Sequence, residues 1–378
     1  MIEGLLLLQA MKETAYLADK IFTGSEWFVD HAVITKNNAV TAIVPASTLD
    51  RSIEVKNYSG HFLAPAFIDI QIYGAHKKLF AVYPTPHTLS LIYDYCKKGG
   101  ASLFLPTVAT NSLTVFHQCI DAVRAYWQQG GKGVYGLHLE GPWINKIKRG
   151  AHIESFIHTP TESEVSQLLE YGKEVIKMIT LAPEVCSIDS IKRIQAEGII
   201  VSAGHSNATY KEATLAFDNG ISTATHLYNA MSALQHREPG MVGALFNHQN
   251  ANCSVIPDGY HVSFEAIKIA KNAMNERLFV ITDAVTDTAE GPYQHEWKED
   301  KYECNGVLSG SALTMYKAFY NLVQQVGLEV EEALRMCSLY PAQVLGCSDT
   351  NGKIAPGAAA QFIILKNNLE LAEVITAG

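Results

Sequence analysis

Short apolar runs alternate with amphipathic segments eight times along this 378-residue chain. The runs are rich in Val, Ile, Leu, Phe and Thr and nearly continuous in apolar character, which is typical of parallel strands buried on both faces. Such a repetition predicts an α/β fold, a closed parallel (β/α)8 barrel of the TIM type. The eight runs are Ala64–Gln71, Ala101–Thr110, Val134–Glu140, Lys177–Glu184, Ile199–Ser206, Ser222–Asn229, Ala251–Gly259 and Arg277–Ala284.

Hydroxyl residues open several of the segments between these runs. Thr161 has Glu164 three residues later, which is a capping-box pattern at a helix start. Other segments begin in the same way and carry apolar residues at three- and four-residue intervals. The segment between the sixth and seventh runs is irregular. The predicted helices are Thr161–Glu174, Ser187–Glu197, Thr209–Asn219, Ser263–Met274, Ser311–Val326 and Val330–Leu345.

The two ends of the chain differ from its middle. Short alternating runs separated by turn residues predict antiparallel β structure at both ends. These runs are Glu26–Val33, Ala39–Val44, Arg51–Tyr58, Gly352–Pro356 and Gln361–Lys366. We expect residues 1–62 and 347–378 to form one small β-sandwich domain beside a barrel of residues 63–346.

Composition excludes several classes of protein. A content of 48% apolar and 18% charged residues indicates a globular chain with a large core. The net charge of −9 argues against a nucleic-acid partner, because such binding depends on Lys and Arg neutralising phosphates. Seven scattered cysteines without a C-x-x-C pair favour reduced thiols and a cytoplasmic protein. Leu5–Leu8 is too short to span a bilayer, and Glu3 precedes it, so we expect neither a membrane partner nor a secretory signal.

Carboxylates and histidines lie at or near the ends of five predicted strands, where barrel enzymes place their active sites. Glu140 ends the third run, and His205 and His226 lie near the ends of the fifth and sixth. One carboxylate and two imidazoles are a common ligand set for a catalytic divalent metal. Asp283, near the end of the eighth run, suits a general base that later acts as general acid.

Taken singly, these residues have ordinary explanations. His205 alone is more simply a core residue, and Glu140 alone is as well explained by a salt bridge. Their joint position at strand ends favours a site. His138, two residues before Glu140, is interpreted as a packing residue below the ligands. No site role is expected for the remaining histidines, His31, His61, His76, His87, His117, His158, His236, His248 and His295.

Seven motifs then resemble one known family, the N-acetylglucosamine-6-phosphate deacetylases of the amidohydrolase superfamily. They run in order through the barrel, from about Pro65 to Leu345, and the flanking β segments match as well. The stretch around His226 is long and specific. The motifs are His138–Trp143, Gly204–Ala208, Thr225–Met231, Arg237–Gly240, Asp258–His261, Thr282–Ala284 and Leu308–Ser311.

This resemblance implies roles for individual residues. It implies that Glu140, His205 and His226 bind one divalent metal ion per subunit, zinc or alternatively iron, and that Asp283 is the acid/base. The implied reaction is metal-dependent hydrolysis of the acetamide of N-acetyl-D-glucosamine 6-phosphate, in amino-sugar metabolism. The implied substrate-binding residues are Ala151, His152, Asn229, Ala230, Arg237, His261, Val307, Leu308 and Ser309.

Two of these assignments depend on the resemblance. Without it, His152 is equally well a solvent-exposed loop histidine, and Arg237 a surface loop residue. The family is commonly dimeric, which implies a homodimer in which Arg237 crosses the interface to the phosphate of the amino-sugar substrate. A guanidinium suits a phosphate dianion because its N–H groups form a rigid fork.

One departure from related enzymes concerns the first strand. Many amidohydrolases have His-x-His there, and it helps to bind a second metal, whereas this chain has Gln71 and Tyr73. We therefore expect a single metal. The alternatives are the same reaction on N-acetylgalactosamine 6-phosphate, a silent barrel that senses a sugar phosphate, and an isomerase or aldolase. Intact Asp283 argues against the sensor, and the absence of a strand-end Lys weakens a Schiff-base aldolase.

Overall fold

The computed structural model describes residues 13–376 of the chain. These residues form two compact units. One holds the described residues up to Ile68, together with Gly100–Ser102 and those from Leu328 onward; the other holds Asp69–Gly99 and Leu103–Gly327. The domain boundaries expected at residues 62/63 and 346/347 stay a prediction. Leu5–Leu8 lies outside the described residues.

All eight predicted runs contain strands of one sheet, so the barrel prediction is confirmed. Neighbouring strands from the second to the eighth pair in parallel. A parallel bridge between Ile72 and Ala284 connects the far end of the sheet to the first strand, which nearly closes the barrel. In chain order, the first to eighth barrel strands are Phe67–Ile72, Ala101–Ala109, Leu137–Glu140, Ile176–Leu181, Ile200–Ala203, Thr223–Ala224, Asn252–Val255 and Leu278–Val280.

All but one of the predicted helix starts are also observed. The exception is Ser311, which ends a β-strand; that helix begins at Met315, with Thr314 as its cap. The Thr161 hydroxyl accepts a hydrogen bond from the Glu164 backbone N–H, and Thr209 forms a reciprocal capping box with Glu212. The α-helices are Pro86–Lys98, Leu113–Gln128, Glu162–Gly172, Ile188–Ala196, Tyr210–Asp218, Gly240–Asn247, Phe264–Met274, Met315–Asn321, Val330–Cys337 and Leu339–Val344. Leu322–Val326 is a π-helical turn that continues the helix Met315–Asn321 to the predicted end at Val326. Within residues 13–376, no helix is long and apolar enough to cross a membrane.

The N- and C-terminal strands share one seven-stranded sheet, as expected. Phe362–Lys366 runs antiparallel to Glu54–Pro65, with Ile364 opposite Leu63. The strands are Thr14–Phe22, Trp27–Val29, His31–Lys36, Ala39–Pro45, Glu54–Pro65, Phe362–Lys366 and Leu371–Ile375. The β structure predicted for Gly352–Pro356 is wrong: this segment forms bends and turns, and Gly352 has a left-handed φ of 73° that interrupts a strand.

This sheet encloses its own apolar core. The Val40 N–H donates to the Ala358 carbonyl at 2.8 Å, and Ala39 forms an antiparallel β-bridge with Ala359. The Ala39–Pro45 strand therefore contacts the segment that precedes the C-terminal strands. The sheet is mixed and not wholly antiparallel as predicted, because Thr14–Phe22 runs parallel to Glu54–Pro65. It buries alternating side chains on its inner face, as strands with one buried face should. The buried cluster includes Tyr16, Ile21, Val33, Val40, Leu63, Phe362 and Ile364.

A small antiparallel sheet follows the eighth barrel strand and was not expected from the sequence. It consists of Glu296–Lys298, Lys301–Cys304 and Val307–Ser311. A parallel bridge between Ser311 and Ala284 attaches it to the barrel end. Gly310 is required there, because a Cβ at this position would lie 2.5 Å from the Val285 side chain. The sheet places Leu308 and Ser309 beside the strand ends.

The irregular segment between the sixth and seventh strands contains the helix Gly240–Asn247. It is buried over nearly all of its length, so it has no polar face to produce an amphipathic pattern. Arg277 stabilises its C-terminal end: Nη1 donates to the Leu245 carbonyl at 2.8 Å and to the Ala251 carbonyl at 2.7 Å. A guanidinium at this end satisfies carbonyls that lack helical partners.

We therefore expect Arg277→Met to lower the melting temperature by several degrees, since it removes charge-assisted hydrogen bonds worth about 1–3 kcal/mol together. Arg277→Lys should retain part of the stability that Arg277→Met loses, because an ammonium group can donate hydrogen bonds but lacks the fork geometry of a guanidinium. Differential scanning fluorimetry measures the change. Arg193→Met, on the exposed side of the helix Ile188–Ala196, is the matched control. Equal melting temperatures for both Met variants would contradict the capping role.

Candidate metal centre and active site

The barrel brings the predicted ligands and acid/base together at the carboxyl ends of its strands. Glu140 is the last residue of the third strand, and His205 and His226 each follow their strand by two residues. Asp283 follows the eighth strand by three. All four side chains are nearly inaccessible, with exposures of 2% for Glu140 and 8% for Asp283 at the extremes. Residues separated by more than a hundred positions thus meet in one buried site.

The three predicted ligands converge on one point. His226 Nε2 lies 3.1 Å from Glu140 Oε1, and His205 Nε2 lies 3.4 Å from the same oxygen. The two Nε2 atoms are 3.1 Å apart. The ligand atoms of all three residues lie within 4.8 Å of one another, which is a separation that one metal ion can bridge.

Backbone carbonyls set the tautomers of both histidines. His205 Nδ1 lies 2.8 Å from the Lys148 carbonyl, and His226 Nδ1 lies 3.1 Å from the Asn229 carbonyl. A carbonyl only accepts, so each Nδ1 carries a proton, and in the neutral form of each ring, which is the form that binds a metal, Nε2 has the lone pair. Two lone pairs and a carboxylate oxygen facing one another fit a divalent cation between them.

The backbone at the site is strained. His205, His226 and Asp283 have φ values of 47°, 43° and 54°, which place non-glycine residues in the left-handed region. Such residues cost about 1–3 kcal/mol each and persist where the surrounding structure imposes them. The turns that follow these strands therefore direct the three side chains inward at a cost in backbone energy.

The two carboxyl groups differ in their proton affinity. Burial raises the pKa of Glu140, but the His205 charge and the hydrogen bonds from His152, His205 and His226 outweigh it and hold this pKa well below its usual range. Burial raises the pKa of Asp283 well above its usual range, and the His226 charge offsets only part of this. Two carboxyls with opposite shifts suit a division between ligand and proton carrier.

Gln71 and Tyr73 occupy the side of Glu140 that faces the first strand. Gln71 Nε2 lies 2.8 Å from Asp283 Oδ1 and 3.1 Å from Glu140 Oε1. The Tyr73 hydroxyl donates a short hydrogen bond to Glu140 Oε2 and lies 2.8 Å from Gln71 Nε2. Hydrogen-bond donors therefore fill the space in which related enzymes place a His-x-His pair.

His152 is part of the buried site and is not a solvent-exposed loop residue. Its exposure is 6%. Nε2 lies 3.1 Å from Glu140 Oε2, and Nδ1 lies 2.7 Å from the Thr110 hydroxyl. His138 lies below the ligands instead, with its nitrogens 3.0 Å from the Ile70 carbonyl and 2.8 Å from the Thr180 hydroxyl. Burial lowers the pKa of His138 to about 4, so it is neutral.

The site opens into a cavity of about 750 Å³, including the part that is open to solvent. Seven of the nine predicted substrate-binding residues line it: Ala151, His152, Asn229, Ala230, His261, Leu308 and Ser309. His261 is oriented by a 2.6 Å contact between its Nδ1 and Asp258 Oδ2. Arg237 and Val307 do not line the cavity; both are exposed, and Val307 has 45% exposure.

The cavity also contains residues that sequence patterns did not indicate. Tyr73, Tyr293 and His295 line it, together with Ile256 and Val285. His295, for which the sequence predicts no site role, is one of the residues that line the cavity. His295 and Tyr293 precede the small antiparallel sheet in an irregular segment, and no periodicity or motif in the sequence marks that segment.

Comparison with known proteins extends over the whole described chain. Residues 62–378 match the amidohydrolase family, and residues 17–63 match the NagA composite domain. The chain is similar to an N-acetylglucosamine-6-phosphate deacetylase of Haemophilus influenzae, with 31% identity over 369 residues, which cover 95% of this chain and 96% of that protein.

Two further similarities come from another curated protein and a solved structure. An N-acetylgalactosamine-6-phosphate deacetylase of Escherichia coli O157:H7 is 30% identical over 370 residues, covering 94% of this chain and 96% of that protein. The crystal structure of an N-acetylglucosamine-6-phosphate deacetylase from Pasteurella multocida superposes with a TM-score of 0.93 at 31% identity, covering 97% of this chain and 98% of that one. These findings confirm the resemblance seen in the motifs.

The convergent ligands predict how metal binding responds to mutation. We expect His226→Asn and Glu140→Gln each to reduce bound divalent metal from about one ion per chain to a small fraction, because a site with three protein ligands loses much of its affinity with one of them. Inductively coupled plasma mass spectrometry of the dialysed protein measures this. His158→Asn, an exposed histidine, serves as control. Full metal content in both ligand variants would show that the ion binds elsewhere.

Proposed function

Since the chain belongs to the amidohydrolase family, we propose that it hydrolyses the acetamide of N-acetyl-D-glucosamine 6-phosphate to D-glucosamine 6-phosphate and acetate. Members of this family are hydrolases of amide C–N bonds. One observation carries the proposal most: Glu140, His205 and His226 converge beside Asp283 at the bottom of a cavity lined by seven expected substrate residues. This reaction belongs to amino-sugar metabolism, in the cytoplasm.

Glu140, His205 and His226 would hold one divalent ion, zinc in the first instance and iron as the alternative. Two imidazole Nε2 atoms and one carboxylate oxygen suit either metal. A bound divalent cation polarises the acetamide carbonyl and lowers the pKa of water in contact with it. The amide of Gln71, 2.8 Å from Asp283, supports a single ion, because a neutral amide nitrogen is a poor ligand.

Asp283 moves the proton. Its carboxylate accepts a proton from the attacking water and then delivers it to the amine nitrogen as the C–N bond breaks. Gln71 holds the carboxylate through its Nε2 at 2.8 Å, so Oδ1 is fixed while the other oxygen is free to exchange the proton. The products are the free amine of the sugar and acetate, which balances the atoms of water and amide.

His152 stabilises the carbonyl oxygen as negative charge develops on it. Its Nδ1 contacts the Thr110 hydroxyl at 2.7 Å, which fixes the plane of the ring, and its Nε2 lies beside Glu140 at the cavity floor. Nε2 would exchange its Glu140 contact for the carbonyl oxygen when Glu140 binds a metal, and a donor aimed at a developing oxyanion is worth about 10²–10³-fold in rate.

The other end of the substrate is a phosphate dianion. Asn229, Ala230 and His261 line the cavity and would contact it or the adjoining sugar carbon. Arg237 is exposed and does not line this cavity. Its position supports a role across a homodimer interface, where it would bind the phosphate of the substrate held by a second subunit. The long arginine side chain would reach the neighbouring subunit, where its guanidinium would form a bidentate contact with the phosphate.

A second candidate substrate is N-acetylgalactosamine 6-phosphate, since the similar Escherichia coli protein bears that name. The two sugars differ only in the configuration at C4, and the metal ligands and Asp283 do not distinguish them. A sensor without catalysis is less consistent with an intact Asp283 beside the ligands.

Replacement of the proton carrier tests the mechanism. We expect Asp283→Asn to lower kcat for acetate release by about 10²–10⁴-fold, the usual contribution of general acid–base catalysis, while the variant keeps its metal. A coupled enzymatic assay of acetate measures kcat, and metal analysis of the same sample measures the metal content. Asp258→Asn alters the His261 contact without removing the proton carrier and should retain more activity. Near wild-type turnover by metal-loaded Asp283→Asn would exclude the role.

Chelation and the choice of sugar test the reaction itself. Acetate release from N-acetyl-D-glucosamine 6-phosphate should disappear after chelation and return with added zinc or iron, because the ligand atoms of Glu140, His205 and His226 converge on one point. The ratio of kcat/KM for this sugar and its C4 epimer should favour the gluco form. A higher kcat/KM for the galacto form would replace the substrate but keep the reaction, and no release with either metal would contradict both.

A further inference from the structure

We propose that His295 is a specificity-determining residue that binds a sugar hydroxyl on a carbon adjoining the acetamide carbon of the substrate. The proposal rests on the deacetylase function proposed above and adds a contact that neither the motifs nor the metal centre require. It concerns the C1 and C3 hydroxyls, which flank the acetamide at C2. Four features of the cavity wall support it.

His295 presents an unpartnered nitrogen to the cavity. The residue is 6% exposed and lines the cavity. Its Nδ1 lies 2.8 Å from the Ser309 hydroxyl. Within residues 13–376, its Nε2 has no hydrogen-bond partner and is not fully enclosed by protein. Because His295 lines the cavity, a ligand there can reach this nitrogen. A polar group in such a place is costly unless a ligand or water satisfies it.

The imidazole suits a hydroxyl better than a phosphate. Burial lowers the pKa of His295 to about 4, so the ring is neutral near pH 7. A neutral imidazole has one donor and one acceptor nitrogen, and a sugar hydroxyl can serve either of them. A phosphate dianion would instead favour a cationic partner. Ser309, which can donate or accept, lets the ring present either form of Nε2.

The ring is held at a defined distance from the reaction centre. His295 stacks on Tyr293, with centroids 6.3 Å apart and planes at 13°. The Tyr293 ring meets the His152 ring edge-on at 6.4 Å, and His152 Nε2 lies 3.1 Å from Glu140. One aromatic ring, that of Tyr293, therefore lies between His295 and the side chain that faces the amide carbonyl. The C1 and C3 hydroxyls are the polar groups of the sugar ring nearest to the acetamide.

Tyr293 makes this arrangement rigid. Its hydroxyl donates to the Thr110 carbonyl at 2.6 Å. Thr110 also contacts His152 Nδ1, so one residue positions both the carbonyl-binding histidine and the platform under His295. His295 does not belong to the cluster of metal-ligating groups found in the described residues. Its remaining hydrogen-bonding capacity is thus available to a ligand or water in the cavity.

The test compares His295→Phe with wild type on three substrates: N-acetyl-D-glucosamine 6-phosphate and its 3-deoxy and 1-deoxy analogues. Phe keeps the ring and its stacking but cannot hydrogen-bond. We expect kcat/KM on the parent sugar to fall by about 10- to 100-fold, the range for one buried hydrogen bond to substrate. On the analogue that lacks the contacted hydroxyl, wild type and variant should be nearly equal. This double-mutant cycle isolates the contact.

Several controls separate this contact from structural damage. His117→Phe replaces a half-buried imidazole that stacks on Tyr171 and should leave kcat/KM unchanged. His295→Gln keeps a hydrogen-bonding group and should recover part of the loss. Metal content and melting temperature of each variant show whether it is folded and loaded.

Three results would overturn the proposal. An equal loss by His295→Phe on all three substrates would assign a structural role, and no loss on the parent sugar would show that no contact exists. The C4 epimer provides a further arm: since both sugars share C1 and C3, His295→Phe should reduce kcat/KM on both by the same factor, and a changed preference would place the contact at C4. Failure of the proposed function is separate, because wild type itself would then release no acetate.

Discussion

The Glu140 carboxylate is the group on which the rest of the site depends. It is almost fully buried, and a buried charge is tolerated only when it is paired and hydrogen-bonded. Its Oε1 faces His205 and His226, and its Oε2 faces Tyr73 and His152. Each of these side chains comes from a different strand end or loop. The requirement to satisfy one carboxylate therefore brings distant parts of the barrel into a single geometry, and that geometry is the one a divalent cation fits.

Two further layers hold this geometry in place. Below the ligands, His138 contacts Thr180, which contacts Thr225, so hydroxyls and a neutral imidazole connect the third, fourth and sixth strands inside the barrel. Above, the backbone turns at His205 and His226 have positive φ and direct both rings inward. The barrel thus provides a rigid base, and the strained turns use it to aim side chains. This division is common in barrels, where stability lies in the strands and chemistry at their carboxyl ends.

The walls of the cavity come from less regular parts of the chain. The loop with Ala151 and His152 forms one side, and the segment with Tyr293, His295 and Ser309 forms another. Such connections vary more easily than strands do, so they are where substrate selectivity is expected to reside. In the proposed function, Glu140, His205, His226 and Asp283 account for amide hydrolysis in general, whereas the contacts of these walls would decide which acylated sugar is hydrolysed.

The sequence by itself determined the eight barrel strands, several helix starts, and the four polar residues at strand ends that the structure brings together, which we propose as metal ligands and acid/base. These features follow from local patterns: continuous apolar runs, caps such as Thr209 with Glu212, and polar residues at strand ends. Tertiary structure alone decided that His152 is buried against Glu140, that Arg277 caps the largely buried helix Gly240–Asn247, and that His295 lines the cavity. Those outcomes depend on contacts between residues far apart in the chain and on segments without periodicity. No local sequence pattern predicts these contacts, because the positions of the loop residues are set by how the loops pack around the barrel.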